Sequence, residues 1–280
     1  MSGMGPHANG VTRPFTPQGN AAIIPPLPWR FAGDLYVIHF KADPKALNAL
    51  IPEPLTPSDN PGEAFLWSTH FSVYPDVDGA EKTFNPYRSQ YNVCVIGVPC
   101  AFQGKQRMIS AFQWCDKDWL VALSWFIGAA SKQAEIVESK THPLMKASGS
   151  PQTGGIGTWL NRSVCRNGEN IVSFSIEAKR DIKLDDMMFF AGRLPLLSMR
   201  HVPDLHVPPR GRPDLHDICE QLMSDQQFGQ IRAGNATLKF GASDNEDLLP
   251  IQPTQVLGGY IMPMGFKLRG IRVVHDYLVS

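Results

Sequence analysis

"QYNVCVIGVPCAFQGKQRMISAFQWC", Gln90 to Cys115, decides the fold class. Two runs dense in Val, Ile, Cys, Phe and Trp flank a polar break centred on Gly104. β-Branched and aromatic residues suit a pleated, half-buried surface, and a short glycine-containing break joins antiparallel neighbours. The stretch therefore predicts two strands, Gln90 to Gln103 and Gln106 to Cys115, joined by a turn.

The same pattern continues on both sides. "GDLYVIHFKAD" (Gly33 to Asp43) and "EAFLWSTHFSVY" (Glu63 to Tyr74) read as further strands. Between them "DPKALNALI" predicts a short helix, with Asp43 at the cap, Pro44 in the first turn and Ala46, Leu47, Leu50 and Ile51 apolar. After Cys115, "DKDWLVALSWFIGAA" places Leu120, Leu123 and Ile127 at helical spacing. The segment Gly154 to Arg180 predicts a hairpin around "RNGE", and "GRPDLHDICEQL" predicts a helix start. "NATLKFG" and "RGIRVVHDYL" complete the strands. With no βαβ alternation, internal repeat or clear linker, the expectation is an α+β, mainly antiparallel β domain over residues 28–280. A Gly-, Pro-, Asn- and Ala-rich arm over residues 1–27, extended or mobile, precedes it.

Composition narrows the function classes. Of 280 residues, 43% are apolar, and 26 Lys and Arg balance 26 Asp and Glu. A neutral chain offers no electrostatic footprint for nucleic acid or an anionic membrane. No run approaches transmembrane length and no secretory signal opens the chain, so a cytoplasmic location is expected. The five cysteines (Cys94, Cys100, Cys115, Cys165, Cys219) form no CxxC pair and read as buried small hydrophobes.

No GxGxxG, GxxxxGK[ST], GxSxG or HExxH motif occurs. "MRHVPDLHVPPRGRPDLHD" gathers His201, Asp204, His206, His216 and Asp217, donors that suit a divalent cation. Their spacing across prolines matches no site geometry, so a solvated loop, with neither metal nor other cofactor, is the expectation. A lysine draws more interest. In "LVALSWFIGAASKQAEI" (Leu120 to Ile136) apolar and small residues run to Ser131 and end at Lys132. A desolvated amine sheds its proton and can attack a carbonyl, and the resulting Schiff base is an electron sink without a cofactor. A lysine that merely reaches water from the end of an apolar element reads the same way, and the residues alone leave both readings open.

In order over residues 28 to 279, the chain resembles the acetoacetate decarboxylase family. "LYVIHFKADPKALNALIPEPL", "YRSQYNVCVIGVPC", "DKDWLVALSWFIGAASKQ", "GNATLKFG" and "VHDYL" each resemble one of its motifs. The resemblance implies a closed or cone-like β-barrel with peripheral helices, a homo-oligomer, and Lys132 as the Schiff-base lysine facing an interior pocket. It also shows departures. The family's second lysine is Gln133 here, its preceding proline is Ser131, and its "GRE" is Ser124, Trp125 and Phe126. An arginine of the pattern falls on Gly33, and a pocket glutamate falls near Ser89 or Gln90. The implied activity is a cofactor-independent lyase acting on a small or aromatic keto acid or aldehyde. It leans to aldol condensation with dehydration, with β-keto acid decarboxylation and a non-catalytic binding barrel as alternatives. In this reading Gln133 and Tyr260 orient water or a nascent hydroxyl. Arg88 and Gln90 hold the substrate, and Trp125 and Phe126 wall the pocket.

Overall fold

The computed structural model describes residues 12–18, 21–24, 28–76, 85–139, 156–187 and 194–279. Its strands are β1 (Trp29–Lys41), β2 (Thr56–Pro57), β3 (Glu63–Pro75), β4 (Gln90–Phe102), β5 (Lys105–Cys115), β6 (Ser131–Gln133), β7 (Glu135–Glu138), β8 (Trp159–Arg166), β9 (Glu169–Ile182), β10 (Leu196–Val202), β11 (Leu215–Phe228), β12 (Ile231–Phe240) and β13 (Gln255–Asp276). Among the described residues two α-helices join them, α1 (Pro44–Asn48) and α2 (Asp118–Phe126).

The local chemistry follows the sequence closely. Phe102 pairs with Lys105 across Gln103 and Gly104, both at positive φ (51° and 72°). That conformation gives a two-residue turn whose twist matches the flanking strands. Asn167 and Gly168 (φ 53° and 83°) close the β8–β9 hairpin in the same way. Asp43 caps α1, its carboxylate accepting from the Lys45 N–H at 3.0 Å.

The segment from Leu215 corrects the helix expectation: it is strand β11. Asp217, Ile218, Cys219 and Glu220 are consecutively buried, so both faces of the segment are covered. Flanked by β10 and β13, it gives its backbone partners on both sides. Arg200 answers the Asp217 carboxylate, and Arg272 reaches Glu220 at 2.9 Å. Neighbouring strands outweigh the local "RPD" start signal.

The sheet order β1-β3-β4-β5-β10-β11-β13 closes on itself, because β13 also pairs with β1. All of these pairs are antiparallel except β10 with β5. The C-terminal half of β13 serves β11 and the N-terminal half serves β12, from which β9, β8 and β7 continue as a second wing. Two apolar clusters result. One fills the space between ring and wing, with Trp114, Phe40, Leu66, Ile96, Ile176 and Phe240. The other lies inside the ring, where Phe31, Trp67, Phe71, Val93, Met264 and Leu268 meet Trp119, Leu120 and Leu123 of α2. Part of the N-terminal arm packs here too: Ile24 is 3% exposed in the ring cluster, and its N–H bonds to Thr12 Oγ1 at 3.0 Å.

Candidate ligand site

Strand alternation sends every second residue of each ring strand inward. Trp67, Thr69 and Phe71 of β3, Tyr91, Val93 and Val95 of β4, Gln113 of β5, and Met264, Phe266 and Leu268 of β13 surround a cavity of about 140 Å³. Leu120, Leu123 and Ser124 of α2 close one side. Gly97 makes room for this wall, since a Cβ there would lie 2.4 Å from the Trp67 indole.

The wall is apolar with a few neutral polar groups. Gln113 Nε2 donates to Ser124 Oγ at 2.7 Å, and Gln221 and Thr69 complete the set. Burial pushes the Tyr91 phenol well above its ordinary range, so it stays neutral. Among the described residues no Lys, Arg, His, Asp or Glu lines the cavity. The position to which the resemblance assigns an arginine is closed by backbone. Gly33 lies between Phe71 and Met264, and a Cβ there would sit 2.0 Å from the His70 carbonyl oxygen.

Lys132 lies on the other side of the wall. β6 runs parallel to β5, with Ser131 opposite Gln113 and Lys132 opposite Trp114. Gln113 lines the cavity and Trp114 belongs to the cluster between ring and wing, so Lys132 shares the outer face. Its Nζ donates to Glu246 Oε2 at 2.8 Å and to the Asn245 carbonyl at 3.2 Å. The lysine side chain is 38% exposed while that of Glu246 is fully buried, and Arg166 Nε stands 3.6 Å from the other carboxylate oxygen. On the cavity side its neighbour is Ser131, which donates to Cys115 Sγ at 3.2 Å.

The other candidates are spread around the molecule, and none lines the cavity. Gln133 is exposed, and Gln90 is exposed at the start of β4 opposite Ser72. Arg88 ends the single turn Pro86–Arg88 and is half-buried. Trp125 and Phe126 are 53% and 54% exposed at the end of α2, where Trp125 Nε1 donates to the Ser131 carbonyl at 2.9 Å. Tyr260 sits on β13 opposite Val37 and Ala233, its phenol pushed up by burial.

Among the histidines, the His201 and His216 rings meet edge to face, with centroids 4.7 Å apart. His206 instead pairs with Asp214 at 3.0 Å. Among the described residues no group of three or more His, Cys, Asp or Glu side chains stands close enough to hold a metal ion. Burial pushes the Cys94, Cys100 and Cys219 thiols up to about 12, and Cys115 to about 11. Among the described residues no helix is long and apolar enough to cross a membrane.

Several groups of this site carry little signal in sequence. Alternation along "LWSTHF" places Thr69 on a face with Trp67 and Phe71, and along "FQWC" places Gln113 with Cys115. The register that brings those faces together is not local information. Glu246, in "ASDNEDLL", reads as part of a solvated acidic turn, and only the fold carries it under Lys132.

No curated protein sequence matches the chain. Among solved structures, the enduracididine biosynthesis enzyme MppR, complexed with the condensation product of pyruvate and imidazole 4-carboxaldehyde, superposes with a TM-score of 0.84 at 25% identity, covering 99% of this chain and 100% of that one. An acetoacetate decarboxylase-like enzyme from Sphingomonas wittichii RW1 shares the fold, with a TM-score of 0.83 at 23% identity over 96% of this chain and 100% of that one. So does the acetoacetate decarboxylase of Legionella pneumophila, with a TM-score of 0.72 at 14% identity over 91% and 90% of the two chains. The family model for acetoacetate decarboxylase matches residues 12–278, and the chain belongs to that family.

Proposed function

We propose that the ring cavity is the functional site of this chain and that it takes a small, uncharged molecule about one ring in size. The observation that carries this reading is the wall: apolar and neutral polar side chains, with no charged one among the described residues. An ionised keto acid entering it would lose its water without meeting a cation, which costs several kcal/mol. An aldehyde or ketone without a carboxylate meets no such penalty, and the volume of about 140 Å³ resembles the roughly 150 Å³ cavities that hold benzene. The test is binding followed by thermal shift and by ¹H–¹³C methyl spectra of the cavity methionines, with benzaldehyde and pyruvate as probes. Benzaldehyde is expected to raise Tm and to shift the Met223 and Met264 methyl signals, and pyruvate to do neither. Pyruvate shifting those methyl signals while benzaldehyde does not would overturn the reading.

A second reading keeps the family's lyase chemistry at Lys132, and one observation favours it. The amine is partly open to solvent and is held 2.8 Å from the buried Glu246 carboxylate. The freed amine would add to a substrate carbonyl and expel water, giving an iminium whose enamine attacks an aldehyde. The MppR complex, with its pyruvate condensation product, is the relative consistent with that reaction. Borohydride reduction in the presence of pyruvate or acetoacetate separates the two readings. A mass adduct that disappears in Lys132→Ala supports the second, and an unmodified chain supports the first.

A further inference from the structure

Among the described residues the polar groups of the cavity wall are Thr69, Tyr91, Gln113, Ser124 and Gln221. The fold itself accounts for the first four. Thr69 Oγ1 is shut away from any ligand. Ser124 is buried and accepts from Gln113 Nε2 at 2.7 Å, which commits one donor of that carboxamide. Tyr91 is buried too, its ring packed edge to face on Phe31, Phe71 and Trp119, so it serves the wall as apolar surface.

Gln221 has no such employment. Side chains alternate along β11, so Gln221 and Met223 line the cavity while Glu220, between Arg107 and Arg272, faces out. The Gln221 side chain is half-buried, and among the described residues neither Oε1 nor Nε2 has a hydrogen-bond partner. Unlike the Thr69 hydroxyl, both atoms keep open surface, so a ligand can reach them. The wall groups on the flanking strands, Leu196 of β10 and Leu268 of β13, are apolar. A carboxamide among them gives up part of its hydration for no bond within the protein. Methionine would fill the same space without that cost. Packing does not call for a glutamine here, and a polar ligand does.

We infer that Gln221 is the specificity-determining residue of the cavity, and that its carboxamide pairs with the amide or lactam group of a neutral, single-ring ligand. This rests on the cavity being the ligand site. A carboxamide presents an acceptor and N–H donors side by side. A ligand with an N–H next to a C=O answers both at once. A ketone answers only the donor, and a hydrocarbon answers neither.

δ-Valerolactam and cyclohexanone differ by one ring N–H in place of a methylene at nearly constant shape, so they test the inference directly. In a cavity with no polar partner the ketone binds better, since the lactam surrenders more hydration without return. Here the lactam is expected to bind the wild-type chain more tightly than the ketone in calorimetric titration. Gln221→Met is expected to weaken the lactam on the order of tenfold, through loss of its paired hydrogen bonds, and the ketone by about threefold or less. Gln221→Leu should do the same, with thermal melting of both variants showing that they fold. Tighter binding of the ketone by the wild type would overturn the inference while leaving the cavity as the site. So would an unchanged lactam preference in Gln221→Met, above all if Tyr91→Phe removed that preference instead. Equal weakening of both probes in Gln221→Met would overturn it as well, because the residue would then act through shape. Failure of both probes to bind the wild type would overturn the cavity reading itself.

Discussion

Arg162 shows how the molecule treats a charge that it does bury. The residue is 2% exposed between ring and wing, and its guanidinium reaches four groups. Nε donates to Glu138 at 2.7 Å, Nη1 to Ser68 Oγ at 2.6 Å and the Thr69 carbonyl at 3.0 Å, and Nη2 to Asn92 at 2.7 Å. Its plane also lies over the Tyr36 ring, 4.8 Å from the centroid. A planar fork with five N–H donors can satisfy such a set, and an ammonium cannot. Arg162→Met should cost about 3 kcal/mol, because it strands the Glu138 carboxylate and three acceptors, and Arg162→Lys should recover less than half of that. Urea unfolding of the three proteins measures both. The same scale limits what could be read of Lys132. "ASKQ" shows a lysine ending an apolar run, and the family resemblance names it, but neither says which face of β6 it occupies. One residue of register separates Ser131, beside the cavity strand residue Gln113, from Lys132, beside Glu246. That choice depends on a parallel pairing with β5, which no local pattern encodes.

At the scale of elements, β1 carries a constraint that strand propensity does not reveal. It lies between β3 and β13, and at Gly33 the backbone of β3 leaves no room for a side chain. Gly33→Ala should destabilise by about 3 kcal/mol, since a methyl 2.0 Å from a backbone oxygen can be fitted only by parting two strands. Chemical denaturation checks the cost, and a drop in cavity-ligand affinity should accompany it because Phe31 and Leu35 move with the strand. The turns were the most legible elements. "QGK" and "RNGE" specify tight hairpins by their own chemistry, and "DPKAL" specifies a capped helix start. β11 was the least legible. Its acidic residues look like a helix surface, yet Asp217 is 2% and Glu220 8% exposed because arginines of β10, β13 and β5 answer them. Long-range charge pairing of this kind leaves no trace in a window of a dozen residues.

For the whole molecule, closure of the ring sets both stability and its pH dependence. His39 is buried in β1, stacked on Phe65 at 4.4 Å and bonded to Glu63 at 3.0 Å; His216 packs against His201 and Tyr277. Burial holds both imidazoles below the ordinary 6.5, opposed for His39 by Glu63 and aided by nearby Lys41. For His216 the neighbouring His201 and His275 add to burial, and Asp217 opposes them. Between the folded and unfolded values the unfolded chain binds more protons. Stability is therefore full above about pH 7 and falls as pH drops through 6 toward 5, by at most about 1.4 kcal/mol per pH unit for each histidine. Urea midpoints at pH 7.5, 6.5 and 5.5 should show the decline, and His216→Phe should flatten it. The mainly antiparallel β class was legible from the succession of strands, and the closed barrel only through the family resemblance. The wing, which reuses half of β13, was not, because the sequence signals a strand only from Arg269 onward and nothing local marks one 22-residue strand with two sets of partners. The pairing of β1 with β13 has a further consequence, for synthesis. The ring's first strand leaves the ribosome more than two hundred residues before the strand that seals it. Throughout that interval the nascent chain carries an unsatisfied β edge, so protection of β1 during translation falls to chaperones or to provisional pairing, and the native ring forms only once β13 has emerged.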